Sequence, residues 1–189
     1  LSELQPPFTY RAVEPEKVSF TPLEYDKDMD LGQIVDEHEK GQEYAWILED
    51  EERYPIIEDS NGQVLSFPPI INNQLTEVDH RTTDIFIDVT GKDEETVRKA
   101  LNILSTALSD RGGELENVEV GEERLPDLEP EMRELDVDYL NSVSGLDVSA
   151  EEAAALLESM GYGAESSKNK VNLKVPCYRT DIMHSYDLI

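Results

Sequence analysis

Apolar residues along the chain fall into short alternating runs broken by stretches of helical period. Val18 and Phe20 alternate like a strand. Asp30 stands where a helix N-cap belongs, ahead of Leu31, Ile34, Val35 and His38 at helical spacing, and Gly41 is expected to end that helix. Tyr44, Trp46 and Leu48 alternate as a short strand does, with a helical turn as the other reading. Tyr54 to Asp59 and Gln63 to Ile71 are extended runs. The Ser60-Asn61-Gly62 turn between them predicts a hairpin, because Asn-Gly readily takes the positive φ angles of a tight turn. Pro68 and Pro69 put the second arm at an edge or a bulge. Thr83 to Asp88 has the apolar centre of a buried strand, and Val89-Thr90-Gly91 turns the chain into a helix from about Asp93 to Ser109. That helix sets Val97, Leu101, Leu104 and Leu108 on one face, read as core, and Gly112 and Gly113 stop it. Leu115, Val118 and Val120 then form another strand.

The pattern changes near Gly121. Gly121 to Glu131 carries Pro126, Pro130 and five acidic residues and reads as a linker, narrowest at 125–131. Two domains are therefore expected, 1–124 and 132–189. In the second, Met132, Leu135 and Val137 suggest an extended stretch and Asp138 a cap for a short helix. Ser149 to Glu152 is a capping box ahead of Ala153, Leu156, Leu157 and Met160, with Gly161 ending the helix. A turn at Ser166 to Asn169 leads into a Val171, Leu173, Val175 strand that runs into Pro176. The fold class is α+β: a mixed α/β domain followed by a small winged-helix-like module.

Charge is the extreme property: 43 acidic against 16 basic residues give a formal net charge of −27. With 38% hydrophobic residues and eight tyrosines a packed core is still within reach, so the acidity reads as a solvated surface. It argues against nucleic-acid binding in ordinary salt, since phosphate contacts need Lys and Arg. In a cell holding molar salt, where the Debye length falls to about 3 Å, the acid excess would instead be an adaptation of the proteome, silent about partners. Cys177 is the single cysteine, so no internal disulfide forms and a reducing cytoplasm is the simplest setting. No stretch has the length of a membrane span.

The candidate chemistry is spread thinly. Asp181 and Asp187 beside Arg179 suggest either an ion-paired corner or half of an oxygen-ligand metal site, at a point where a domain rarely stops, so the chain is expected to be a fragment. Asp88 and Thr90 read as turn residues before the Asp93 helix. His38 and His184 have no partner pattern, and His80, beside Asp79 and before the Thr83 segment, reads as a loop histidine, with an approach to a pocket at that segment as the other reading. No Ser-His or Cys-His arrangement and no Gly-rich phosphate loop is present.

Two sets of residues carry a likeness that physics alone does not name. Pro55-Ile56-Ile57, Asp59-Ser60-Asn61-Gly62, Ser66-Phe67-Pro68-Pro69-Ile70-Ile71-Asn72 and Asp84-Ile85-Phe86-Ile87-Asp88-Val89-Thr90-Gly91 resemble the B3/B4 region of the archaeal and eukaryotic phenylalanyl-tRNA synthetase β subunit. Gly145-Leu146, Met160-Gly161-Tyr162 and Val175-Pro176-Cys177-Tyr178-Arg179-Thr180-Asp181-Ile182 resemble its B5 domain. The likeness covers nearly the whole chain in the right order, and with the charge it implies a halophilic archaeal source.

The resemblance implies an editing module that hydrolyses tyrosine wrongly esterified to phenylalanine-specific tRNA. An apolar pocket rejects an added hydroxyl by only about a hundredfold, so a second site that recognises it is needed. The family's Asp-x-Thr pair matches Asp88 and Thr90, and a pocket serine matches Ser66. Water attack without an acyl-enzyme is expected, with the general base left open. The family's magnesium motif matches Asp181 and Asp187, its Glu-Glu pair falling after Ile189, so Mg²⁺ is expected to be absent from this chain. In the whole α2β2 enzyme the resemblance implies a cytoplasmic ligase with an α subunit, tRNA(Phe), ATP and Mg²⁺, and no membrane or DNA. Aminoacylation by this chain alone is not expected. The competing expectation is a scaffold that only binds tRNA or other subunit domains.

Overall fold

The computed structural model describes residues 4–189, in two compact units that meet in sequence at Thr90 and Gly91. The first contains strands β1 (Thr9–Val13), β2 (Ser19–Phe20) and β3 (Met29–Asp30), helices α1 (Leu31–Glu37) and α2 (Glu39–Tyr44), and strands β4 (Tyr54–Glu58), β5 (Val64–Phe67) and β6 (Ile71–Asn72). The antiparallel sheet has the order β1-β4-β5-β6, with β2 and β3 paired separately.

Local chemistry explains most of these elements. Asp30 caps α1 in a capping box with Gln33, two orphan N–H groups being satisfied reciprocally. The helix stops at His38 and not at Gly41. His38 leaves helical geometry at ψ 138°, and its Nδ1 accepts the Lys40 N–H at 3.0 Å, which starts α2. Gly41 lies buried inside α2 because the two helices approach so closely that a Cβ there would sit 1.7 Å from the Ile34 carbonyl oxygen. Tyr44, Trp46 and Leu48 follow the helical reading, through a 3-10 turn at Ala45–Ile47. The hairpin forms with Gly62 at φ +77°. Its register runs Ile57 to Ser66 and Glu58 to Val64, with a bulge between. Ile56, Val64 and Phe67 on one sheet face pack with Phe20, Met29, Leu31, Ile34 and Leu48 into the core of this unit.

Thr83 to Asp88 is not a strand. Its backbone carries no ladder, and Ile85 is 49% exposed. The edge strand β6 is two residues long, so the sheet offers little to extend, and the segment is held by side chains instead: Phe86 packs on Phe8 with ring centroids 4.9 Å apart.

The second unit comprises α3 (Glu94–Ser109), the β7 (Val118–Val120) and β8 (Glu123–Leu125) hairpin, β9 (Glu131–Asp136), α4 (Val137–Ser144), α5 (Ala150–Ser159), β10 (Gly163–Ser167) and β11 (Lys170–Val175). Thus α3 and its hairpin group with the C-terminal residues in the second compact unit. Asp93 caps α3. The expected core stripe is not buried: Val97, Leu101 and Leu108 are half-buried, Leu104 is exposed, and the buried residue is Ser105. The hairpin meets α3 through polar groups, Arg98 with Glu123 at 2.7 Å and the Asn102 amide with the Asp127 carbonyl.

Beyond it, α4 is capped by Asp136, not Asp138, through the Tyr139 N–H at 2.9 Å. Ser149 and Glu152 make the anticipated capping box. Gly161 leaves α5 at φ +91°, and β10 follows, a strand whose Gly-Ala-Glu-Ser-Ser run carries no apolar signal. The sheet order is β10-β11-β9. Leu135, Leu140, Ala153, Leu157, Val171, Leu173, Ile182 and Leu188 form its core, while Leu156 and Met160 of the expected stripe are exposed. No helix among the described residues is long and apolar enough to cross a membrane.

Candidate functional site

The face of the first sheet turned away from its core carries a cross-strand row. Tyr10 of β1 pairs with Ile57 of β4, Ile57 with Ser66 of β5, and Ser66 with Asn72 of β6. Directly opposed residues in antiparallel strands share a face. A cavity of about 270 Å³ lies over this row, lined by Ile57, Leu65, Ser66, Asn72 and Thr76 on the sheet side and by Phe86, Ile87 and Asp88 from the irregular segment. The structure therefore brings Ser66 and Asp88 to one cavity, although 22 residues separate them in sequence.

The polar groups are few. Neither the Ser66 hydroxyl nor the Asn72 carboxamide has a hydrogen-bond partner among the described residues. The Thr76 hydroxyl is turned to the Leu65 and Asn73 carbonyls. Among the described residues, Asp88 is the one carboxylate of the lining. Its Oδ2 accepts the Thr90 hydroxyl at 3.0 Å, so Thr90, outside the lining, holds one oxygen of Asp88. The Tyr10 phenol is pushed above its ordinary value, by burial first and then by the nearby Asp88 charge. His80 does not line the cavity. Asn72, Thr76, Ile57 and Phe86 carry no site signal in the sequence; only the strand register and the Phe8–Phe86 contact bring them in.

In the second unit, Arg179 grips both oxygens of Asp181, at 2.8 Å each, and stacks over the Tyr162 ring at 4.9 Å. The Arg179 hydrogen bonds hold the Asp181 carboxyl below its ordinary range. Asp187 Oδ2 accepts the Met183 and His184 N–H groups, as part of a capping box on a 3-10 turn whose cap is His184. Both carboxylates are thus committed to structure. No group of three or more His, Cys, Asp or Glu side chains among the described residues is arranged to hold a metal, and these two alone do not suit Mg²⁺, which demands octahedral oxygen geometry.

Comparison with known proteins gives these sites a context. The B3/4 domain family matches residues 25–128, more than half of the chain, and the tRNA synthetase B5 domain family matches 133–189. The phenylalanine–tRNA ligase beta subunit of Methanosarcina acetivorans is 49% identical over 195 residues, and that of Methanospirillum hungatei JF-1 46% identical over 189. Each alignment takes in 100% of this chain but 35% and 34% of the relative, so the chain spans about a third of their length. The crystal structure of an N-terminal fragment of the phenylalanyl-tRNA synthetase beta subunit from Pyrococcus horikoshii superposes with a TM-score of 0.87 at 38% identity, covering 99% of this chain and 55% of that one. Both domain matches, their order and the superposition agree: the chain belongs to the phenylalanyl-tRNA synthetase β-subunit family.

Proposed function

We propose that the first unit is an aminoacyl-tRNA editing site, which hydrolyses tyrosine from mischarged phenylalanine-specific tRNA. The observation that carries this reading is the convergence of Ser66, Asn72 and Asp88, with Thr76, on one cavity whose other walls, Ile57, Leu65, Phe86 and Ile87, are apolar. At about 270 Å³ the cavity is smaller than the roughly 300–1,000 Å³ typical of drug-sized ligands, a size suited to one amino-acid side chain. Apolar walls take the aromatic ring, and the polar groups take its hydroxyl or the ester. A phenylalanyl group would leave polar atoms of such a site unpaired, which costs far more discrimination than a missing methylene.

In the reaction, water adds to the ester carbonyl carbon, the bond to the ribose oxygen breaks, and that oxygen leaves with a proton as tyrosine is released. Asp88, with one oxygen fixed by Thr90, has Oδ1 to accept a hydrogen bond from the phenol or from the attacking water. Ser66 and Asn72 can donate to oxygens of the ester. No histidine or cysteine lines the cavity, which favours direct water attack over an acyl-enzyme.

The second unit would serve contacts with tRNA or with other parts of the synthetase. Asp181 and Asp187 would join a Mg²⁺ site only with carboxylates supplied from elsewhere. Within a whole enzyme the chain would contribute to ATP-dependent charging of tRNA(Phe) beside an α subunit, in the cytoplasm. A binding-only scaffold is the second reading, favoured by the net charge of −27.

The assay is release of tyrosine from tyrosylated tRNA(Phe) in high salt, beside a folded Asp88→Ala, Thr90→Ala variant. The parent is expected to hydrolyse the ester and the variant to lose at least a hundredfold in rate, the usual scale for a lost electrostatic or general-base group. A folded parent that stays inactive both alone and within the whole synthetase would leave the scaffold.

A further inference from the structure

We propose that Tyr10 is the platform on which the terminal adenosine of the tRNA stacks while the aminoacyl group occupies the cavity; the inference rests on the editing reading for where the ester lies. Three observations lead to it. The cavity accommodates one side chain, so the adenosine that carries the ester must lie at its mouth. Tyr10 flanks the lining: it is on the edge strand β1, in the same cross-strand row as the lining residues Ile57, Ser66 and Asn72, directly opposite Ile57. Two contacts fix its direction. Phe8, just before β1, packs on Phe86, and the Tyr10 phenol feels the Asp88 charge, so this end of β1 faces the segment that brings Phe86 and Asp88 to the cavity.

Tyr10 is nevertheless 63% exposed. An aromatic residue that is anchored by a strand yet leaves most of its surface to solvent is the form a base-stacking platform takes, because every base has a π-face and the contact needs no basic side chain. That last property matters in a chain this acidic. With few cations to grip phosphates, a neutral aromatic contact gives the acceptor end a hold that high salt does not screen.

Binding of two non-hydrolysable probes tests this: an amide-linked tyrosyl-adenosine and tyrosinamide, which lacks the adenosine. Tyr10→Ala should weaken the tyrosyl-adenosine by about tenfold to a hundredfold, the range of a lost base stack, and leave tyrosinamide unchanged. Tyr10→Phe and Tyr10→Trp should bind the tyrosyl-adenosine like the parent. The platform is overturned if Tyr10→Ala binds both probes as the parent does, if it loses both equally, or if the parent gains nothing from the adenosine. Hydrolysis separates this from the function beneath it. A parent that edits while Tyr10→Ala edits with unchanged KM loses the platform and keeps the editing site. Tyr10-dependent binding of tyrosyl-adenosine by a parent that never hydrolyses keeps the platform and loses the hydrolase.

Discussion

Single side chains in this protein do more than their sequence neighbours suggest. Asp59 is 3% exposed and sits inside the hairpin turn, where its two oxygens accept N–H groups from Gln5, Asn61 and Gln63 at 2.9–3.0 Å. Burial pulls its carboxyl up, but the three backbone donors outweigh burial and hold it below its ordinary value. A carboxyl depressed in the folded state contributes stability above its unfolded value and loses it as pH falls through the folded one. Melting temperature measured from neutral pH into the acid range should therefore fall less steeply for Asp59→Asn than for the parent, from a lower starting point. Equal acid slopes would remove Asp59 from the account. The two histidines without an evident partner turn out to be helix caps, each accepting an N–H two residues ahead, Lys40 for His38 and Tyr186 for His184. Ser66 and Asp88 were legible as candidates only through family likeness, since a serine in a strand and an aspartate before a helix look the same whether or not a cavity lies between them.

Elements with a short-range cause were readable. Asp30 and Ser149 announce their helices because a cap acts within four residues, and Asn61-Gly62 announces its hairpin for the same reason. Elements set by packing were not. Gly41 reads as a stop signal but is the place where α2 touches α1, and Thr83–Asp88 reads as a strand but has no ladder to join. Replacing Gly41 by Ala would force a Cβ to 1.7 Å from the Ile34 carbonyl oxygen, a backbone atom with little room to give. The cost should exceed the ~1–3 kcal/mol of ordinary overpacking, read as a lower denaturant midpoint with an unchanged slope. A midpoint equal to the parent's would mean the two helices are not held at this distance.

At the scale of the whole molecule, charge is the dominant property. Repulsion among 43 acidic side chains opposes compaction, and salt that shortens the Debye length from about 10 Å at 0.1 M to about 3 Å at 1 M should relieve it. Folding followed by circular dichroism across that range is expected to strengthen with KCl; a flat titration would sink the reading of the surface as a high-salt adaptation. What the sequence determined alone was the α+β class, the order of two family domains, the hairpin and the capped helices, because each depends on residues close together or on a likeness carried by motifs. The tertiary structure decided where α1 ends and which residues share the cavity. Those depend on strand register and on placements of residues far apart in sequence, such as the Phe8–Phe86 contact and the cavity that Ser66 and Asp88 both line, which no local pattern encodes.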